Sequence, residues 1–190
     1  MKTLLAFILF ALSSLTYVNA MDNKTIRIST KDTDLILQVG ENGRLYQTYL
    51  GEKLLHEQDL QHFQWNIHAG SDGSVSKRGW EVYSGSGNED FFEPAISITH
   101  HDGNPSTILY YVSSSDKAVE GGTETTILLR DDRYPVEVTL HYIAYPKENI
   151  IKTWSEIRHQ EKKPVTLSSY ASTMLYFNNS GYYLTEFSSD

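Results

Sequence analysis

From Val136 onward, Val136, Val138, Leu140, Tyr142 and Ala144 alternate with Glu137, Thr139 and His141. A period of two places one set of side chains on a core face and the other on the opposite face of a strand. Pro146-Lys147-Glu148-Asn149 breaks the run, 150–159 resumes it, and Glu161-Lys162-Lys163-Pro164 breaks it again. Strands separated by short polar breaks predict an antiparallel meander and exclude a helical bundle. Further strands are expected at 26–29, 34–39, 44–50, 95–99, 107–113 and from 123 on. The turns between them include Lys31-Asp32-Thr33, Glu41-Asn42-Gly43, Gly51-Glu52-Lys53, Asp102-Gly103-Asn104-Pro105 and Glu120-Gly121-Gly122. No apolar stripe of period 3.6 persists beyond the first twenty residues. The fold class expected is all-β: one large antiparallel β-sandwich. The strand pattern at 182–187 is cut off at Asp190, so the sandwich is expected to be incomplete at its C-terminal side.

The first twenty residues read as a leader rather than as fold. Lys2 supplies a positive start, 4–15 an apolar core, and Val18-Asn19-Ala20 a small-x-small cleavage pattern. That apolar run is shorter than the ~20 residues that span a bilayer. A signal peptide at 1–20, a mature domain at 21–190 and export follow as expectations, with no membrane attachment after cleavage. The chain has no cysteine, which removes disulfide staples and fits a bacterial periplasm. The formal charge is −8, and the longest basic run is Lys162-Lys163. Nucleic acid and anionic membrane are poor partners for such a chain.

The least regular stretch is 54–88, where Phe63, Trp65, Trp80 and Tyr83 are interleaved with Gly70, Gly73, Gly79, Gly85 and Gly87. A long aperiodic segment inside a domain reads as a functional or docking loop. Exposed Trp rings stack on sugar C–H faces, so Trp65 and Trp80 are a candidate carbohydrate platform. The other reading has both rings plugging the end of the sandwich. Chemistry elsewhere is thin. Glu89, Asp90 and Glu93 bracket Phe91-Phe92 and read as a turn, without the ligand spacing of a Ca²⁺ loop. His62 and His68, near Asp59 and Asp72, lack a recognised zinc spacing, and no metal or organic cofactor is expected. His100 and His101 would point to opposite faces of a strand. Asp131-Asp132-Arg133 reads as a solvated hairpin tip. No G-x-S-x-G motif is present.

Four blocks together carry a resemblance. Gly87-Asn88-Glu89-Asp90-Phe91-Phe92-Glu93-Pro94-Ala95 comes first, then Thr99-His100-His101-Asp102-Gly103-Asn104. Pro135-Val136-Glu137-Val138-Thr139-Leu140 and Lys163-Pro164-Val165-Thr166-Leu167 follow. In order and spacing the chain resembles the amino-terminal domain of family 36 glycoside hydrolases, the α-galactosidases and their relatives, over nearly its whole mature length.

The resemblance implies a β-sandwich of the supersandwich type, followed in that family by a (β/α)₈ barrel that carries both catalytic Asp residues for retaining hydrolysis of α-galactosides. No catalytic residue is therefore assigned to this chain. It would support barrel packing and a homo-oligomer, with α-galactoside oligosaccharides as the enzyme's substrates. In tetrameric members a loop of this domain reaches a neighbouring subunit's sugar pocket. The resemblance puts that loop near Phe63-Gln64-Trp65-Asn66, making Trp65 and Asn66 the candidate substrate-binding residues. Asn66 stands where those members have an acid, and the family's Asp-Phe-Arg motif reads Asp90-Phe91-Phe92 here. The competing class is a free-standing carbohydrate-binding module.

Overall fold

A computed structural model describes residues 24–63, 80–87, 93–177, 180, 181, 183 and 185. The leader at 1–20 lies outside the described residues. Ten strands follow in order: β1 (Thr25–Ser29), β2 (Thr33–Val39), β3 (Leu45–Glu52), β4 (Trp80–Glu81), β5 (Ile96–Thr99), β6 (Leu109–Val119), β7 (Gly122–Asp131), β8 (Val136–Tyr145), β9 (Ile150–His159) and β10 (Thr166–Tyr170). One 3-10 helix, Glu57–Phe63, follows β3. Sheet order is β1-β2-β3-β4, β10-β5 and β6-β7-β8-β9, and the named strand pairs are all antiparallel. The all-β antiparallel class expected from the sequence is the class observed.

Alternation in the sequence becomes burial in the fold. Val136, Val138, Leu140, Tyr142 and Ala144 of β8 are all buried, and the residues between them are half-buried. Ile127 and Leu129 of β7 meet them from the next strand, and Ile26, Ile28, Leu35, Leu37, Val39 and Leu45 come from the first sheet. Each such Val, Leu or Ile side chain contributes roughly 1.5–3 kcal/mol of transfer free energy. The two hairpin ends are also tied. Asn149, at φ 55° in the β8–β9 turn, accepts from Asp32 N at 3.2 Å and pairs with the Thr30 hydroxyl. Asn tolerates this left-handed backbone better than most residues.

The irregular stretch is not all loop. Val82 and Tyr83 are buried in the core, and the Tyr83 hydroxyl donates to Ala171 O at 2.7 Å. Gly85 then makes a parallel bridge to Ile96, where an added Cβ would lie 2.0 Å from Thr107 O. Only glycine permits so close a backbone approach. Asp131 also departs from its expected place at a solvated tip. It is 5% exposed, and its carboxylate accepts from the N–H groups of Arg133 (2.8 Å), Tyr134 (2.8 Å) and Ile108 (2.7 Å). The β7–β8 turn folds back over its own first residue, and a buried carboxylate there satisfies three otherwise orphaned donors.

Candidate functional site

The sequence-level candidates Trp65 and Asn66, with Asp90-Phe91-Phe92, lie outside the described residues, but the residues on either side of 64–79 are held in place. At one end the 3-10 helix brings Phe63 against Tyr49 of β3, with ring centroids 4.5 Å apart at 49°. At the other end Trp80 of β4 lies flat on Tyr176, centroids 5.4 Å apart and planes 2° from parallel. Trp80 is half-buried. It therefore gives one ring face to the fold, as the plugging reading expects, rather than leaving that face open to a sugar.

Tyr176 is itself held on three sides. Its hydroxyl donates to Glu81 O at 2.9 Å, Gln47 Nε2 donates to its carbonyl at 2.6 Å, and its N–H donates to Gln47 Oε1 at 3.2 Å. Beside it, Arg44 forks onto the buried Glu81, with Nε 2.8 Å from Oε1 and a second contact to Oε2. Bidentate guanidinium–carboxylate pairing fixes orientation as well as charge. Phe63 and Trp80, on either side of 64–79, thus rest on a base built by β3, β4 and the segment after β10.

A second polar cluster lies at the far end of β5. That strand ends at Thr99, so the two following histidines escape strand parity and converge on one carboxylate. His100 Nδ1 lies 2.7 Å from Glu161 Oε1 and His101 Nδ1 lies 2.6 Å from Oε2; the His101 backbone N–H donates to Oε2 at 3.1 Å. Tyr134 stacks on the His100 ring, 3.5 Å away at 6°. Its hydroxyl donates to Asp102 at 2.9 Å and accepts from Asn104 at 2.9 Å. Burial works to raise the Glu161 carboxyl, but the hydrogen bonds from His100 and His101 outweigh it and hold the group down at about 2.

A His–Glu–Tyr arrangement can move protons in an enzyme. Here the Glu161 side chain is 1% exposed and that of His100 0%. His100 Nε2 is occupied as well, 3.1 Å from both Ser106 O and Thr107 Oγ1. With Glu161 and His100 closed to solvent and only His101 and Asp102 at the surface, the cluster pins the β5 turn to the segment after β9. Among the described residues no group of three or more His, Asp or Glu is placed to hold a metal ion. Asp59 and His62 fall on the 3-10 helix, where Asp59 accepts from His56 N at 3.2 Å.

The fold's relatives are α-galactosidases. The α-galactosidase AgaA of Geobacillus stearothermophilus, solved with stachyose, superposes with a TM-score of 0.68 at 20% identity, covering 79% of this chain and 24% of that one. The galactosidase domain of the α-galactosidase–sucrose kinase AgaSK gives 0.66 at 21%, covering 79% and 24%. The α-galactosidase of Lactobacillus brevis gives 0.65 at 18%, covering 80% and 23%. At these identities the likeness shows the fold, and the chain spans about a quarter of those enzymes' length. No curated protein matches the sequence. Residues 43–189 match the family described as the glycosyl hydrolase family 36 N-terminal domain. That match takes in every strand from β3 to β10, and the chain belongs to the glycoside hydrolase family 36 N-terminal domain family.

Proposed function

We propose that this chain is the non-catalytic sandwich of an exported α-galactosidase. It supports a barrel that performs retaining hydrolysis of terminal α-galactosides. The observation that carries the reading is the family match across β3 to β10. The polar clusters support it too: Arg44–Glu81 and His100–His101–Glu161 are both used to fix segments of the fold. The leader sequence at 1–20 supports export, and the absence of cysteine supports a periplasmic destination.

Within that enzyme the loop 64–79 borders the sugar pocket, directly or across a homo-oligomer contact. Trp65 offers a ring face and Asn66 an amide. An amide accepts a sugar hydroxyl's hydrogen bond without charge assistance. The test uses the enzyme that contains this domain joined to its barrel, with raffinose as substrate. Trp65→Ala is expected to raise KM about tenfold with little change in kcat, the mark of lost uniform binding. Asn66→Asp should lower KM, because it restores a charged acceptor. Unchanged KM in both variants would remove the loop from the pocket.

A further inference from the structure

The sheet β6-β7-β8-β9 has an outer face that neither the core nor the two polar clusters use. Arg130, Glu137 and Arg158 lie in register across β7, β8 and β9. Arg130 is committed to Glu137, with Nε 2.9 Å and the nearer terminal nitrogen 2.7 Å from Oε1. Arg158 is exposed and has no partner among the described residues. The three side chains, with Pro135 and Gln160, line a cleft of about 270 Å³. Two guanidinium groups flanking one carboxylate leave a net positive site on a chain whose formal charge is −8. A free planar fork beside a second guanidinium matches the geometry of a carboxylate or sulfate.

The same row of β9 continues to an aromatic. Trp154 pairs in register with His141 and stacks on its ring, centroids 4.5 Å apart at 4°. His141 is held in place by Glu124, 2.9 Å from Nδ1. Among the described residues β9 is the outermost strand of its sheet, and none of them forms a strand beyond the indole. Lys152 reaches over it, its Nζ 5.3 Å from the ring centroid, and Lys152 is exposed. Trp154 and Arg158 are four residues apart, or ~13 Å along a strand, and the exposed Glu156 between them on the same face lies 3.5 Å from His141 Nε2 through its Oε1. A short oligosaccharide spans that distance.

We infer that the outer face of β9 binds an acidic glycan, with its carboxylate or sulfate gripped by Arg158 and Arg130 and a pyranose ring stacked on Trp154 after Lys152 swings aside. Stacking uses the sugar's C–H face and the indole π face, and the guanidinium fork supplies selectivity for charge. The choice of a glycan over another anion rests on the sugar-enzyme reading above, whereas the anion cleft stands on geometry alone.

Calorimetric titration of the 190-residue chain with oligogalacturonate, a sulfated galactan oligosaccharide and a neutral galactan oligosaccharide tests this. Binding of either acidic oligomer is expected, about tenfold weaker in Arg158→Gln and in Trp154→Ala, and weaker in high salt. Arg158→Lys should recover part of the loss, and Trp154→Phe most of it, since both keep the surface intact. Preference between carboxylate and sulfate identifies the source of the anion. Binding of inorganic sulfate alone, no binding at all, or affinity indifferent to Arg158→Gln would overturn the inference. Raffinose hydrolysis by the barrel-containing enzyme is scored separately, so a failed glycan titration with intact hydrolysis sinks this site and leaves the proposed function standing.

Discussion

Replacing Asp34 by alanine is expected to destabilise the domain by about 3–5 kcal/mol, the usual cost of removing one partner from a buried ion pair. The Asp34 side chain is fully buried at the start of β2. Arg27 of β1 donates to its Oδ2 through Nε at 3.2 Å and through a terminal nitrogen at 2.7 Å. Leu54 N donates to the same oxygen at 2.8 Å, and the Ser29 hydroxyl bonds Oδ1. Burial raises the carboxyl, yet the hydrogen bonds from Arg27, Ser29 and Leu54 win and hold it below the ordinary carboxylate range. Alanine would orphan the serine hydroxyl and the amide, and leave Arg27 with Leu54 O and the exposed Glu57. Asparagine keeps shape and an acceptor, so Asp34→Asn should lose roughly half as much. Denaturant unfolding of both variants checks the order, and an alanine loss under about 1 kcal/mol would contradict the assignment.

The second large effect is acid sensitivity set by Glu161. Its folded pKa of about 2 lies below the ordinary 4.5. A depressed carboxyl contributes stability that is complete above its unfolded pKa and is lost as pH falls through the folded value. The window therefore runs from about pH 5 down to about pH 2. The shift corresponds to roughly 3 kcal/mol, and about 2 is expected because His101, one of its two ring donors, is 38% exposed to screening water. Glu161→Gln should lose about that much at pH 7 and show a flatter acid limb than the parent. Asp34 and Asp102 are also depressed, so the comparison with Glu161→Gln isolates the one group. Parallel acid limbs in parent and variant would remove Glu161 from this role.

What the sequence made legible was burial that repeats along the chain. The β8 alternation is the core face itself, so its five apolar residues and the 150–159 strand could be read directly. The second half of β6 could not. Ser114-Ser115-Asp116-Lys117 carry no apolar set, because β6 is an edge strand held by its ladder to β7 rather than by burial. Tyr83 hid in a glycine-rich stretch, since one buried ring has no period. The His100–His101–Glu161 cluster depends on a partner some sixty residues away and on β5 ending at Thr99, and neither leaves a local signal. Asp131 was misplaced for a related reason: a polar triplet at a turn looks the same whether its first residue faces water or caps three amides.

Galactose release from raffinose by the purified 190-residue chain decides whether this domain is non-catalytic. With catalysis in a barrel and the described polar clusters committed to fold support, the chain should release no galactose above buffer at any protein concentration. Release that rises in proportion to this chain, and disappears in Glu161→Gln while the fold is retained, would contradict that expectation.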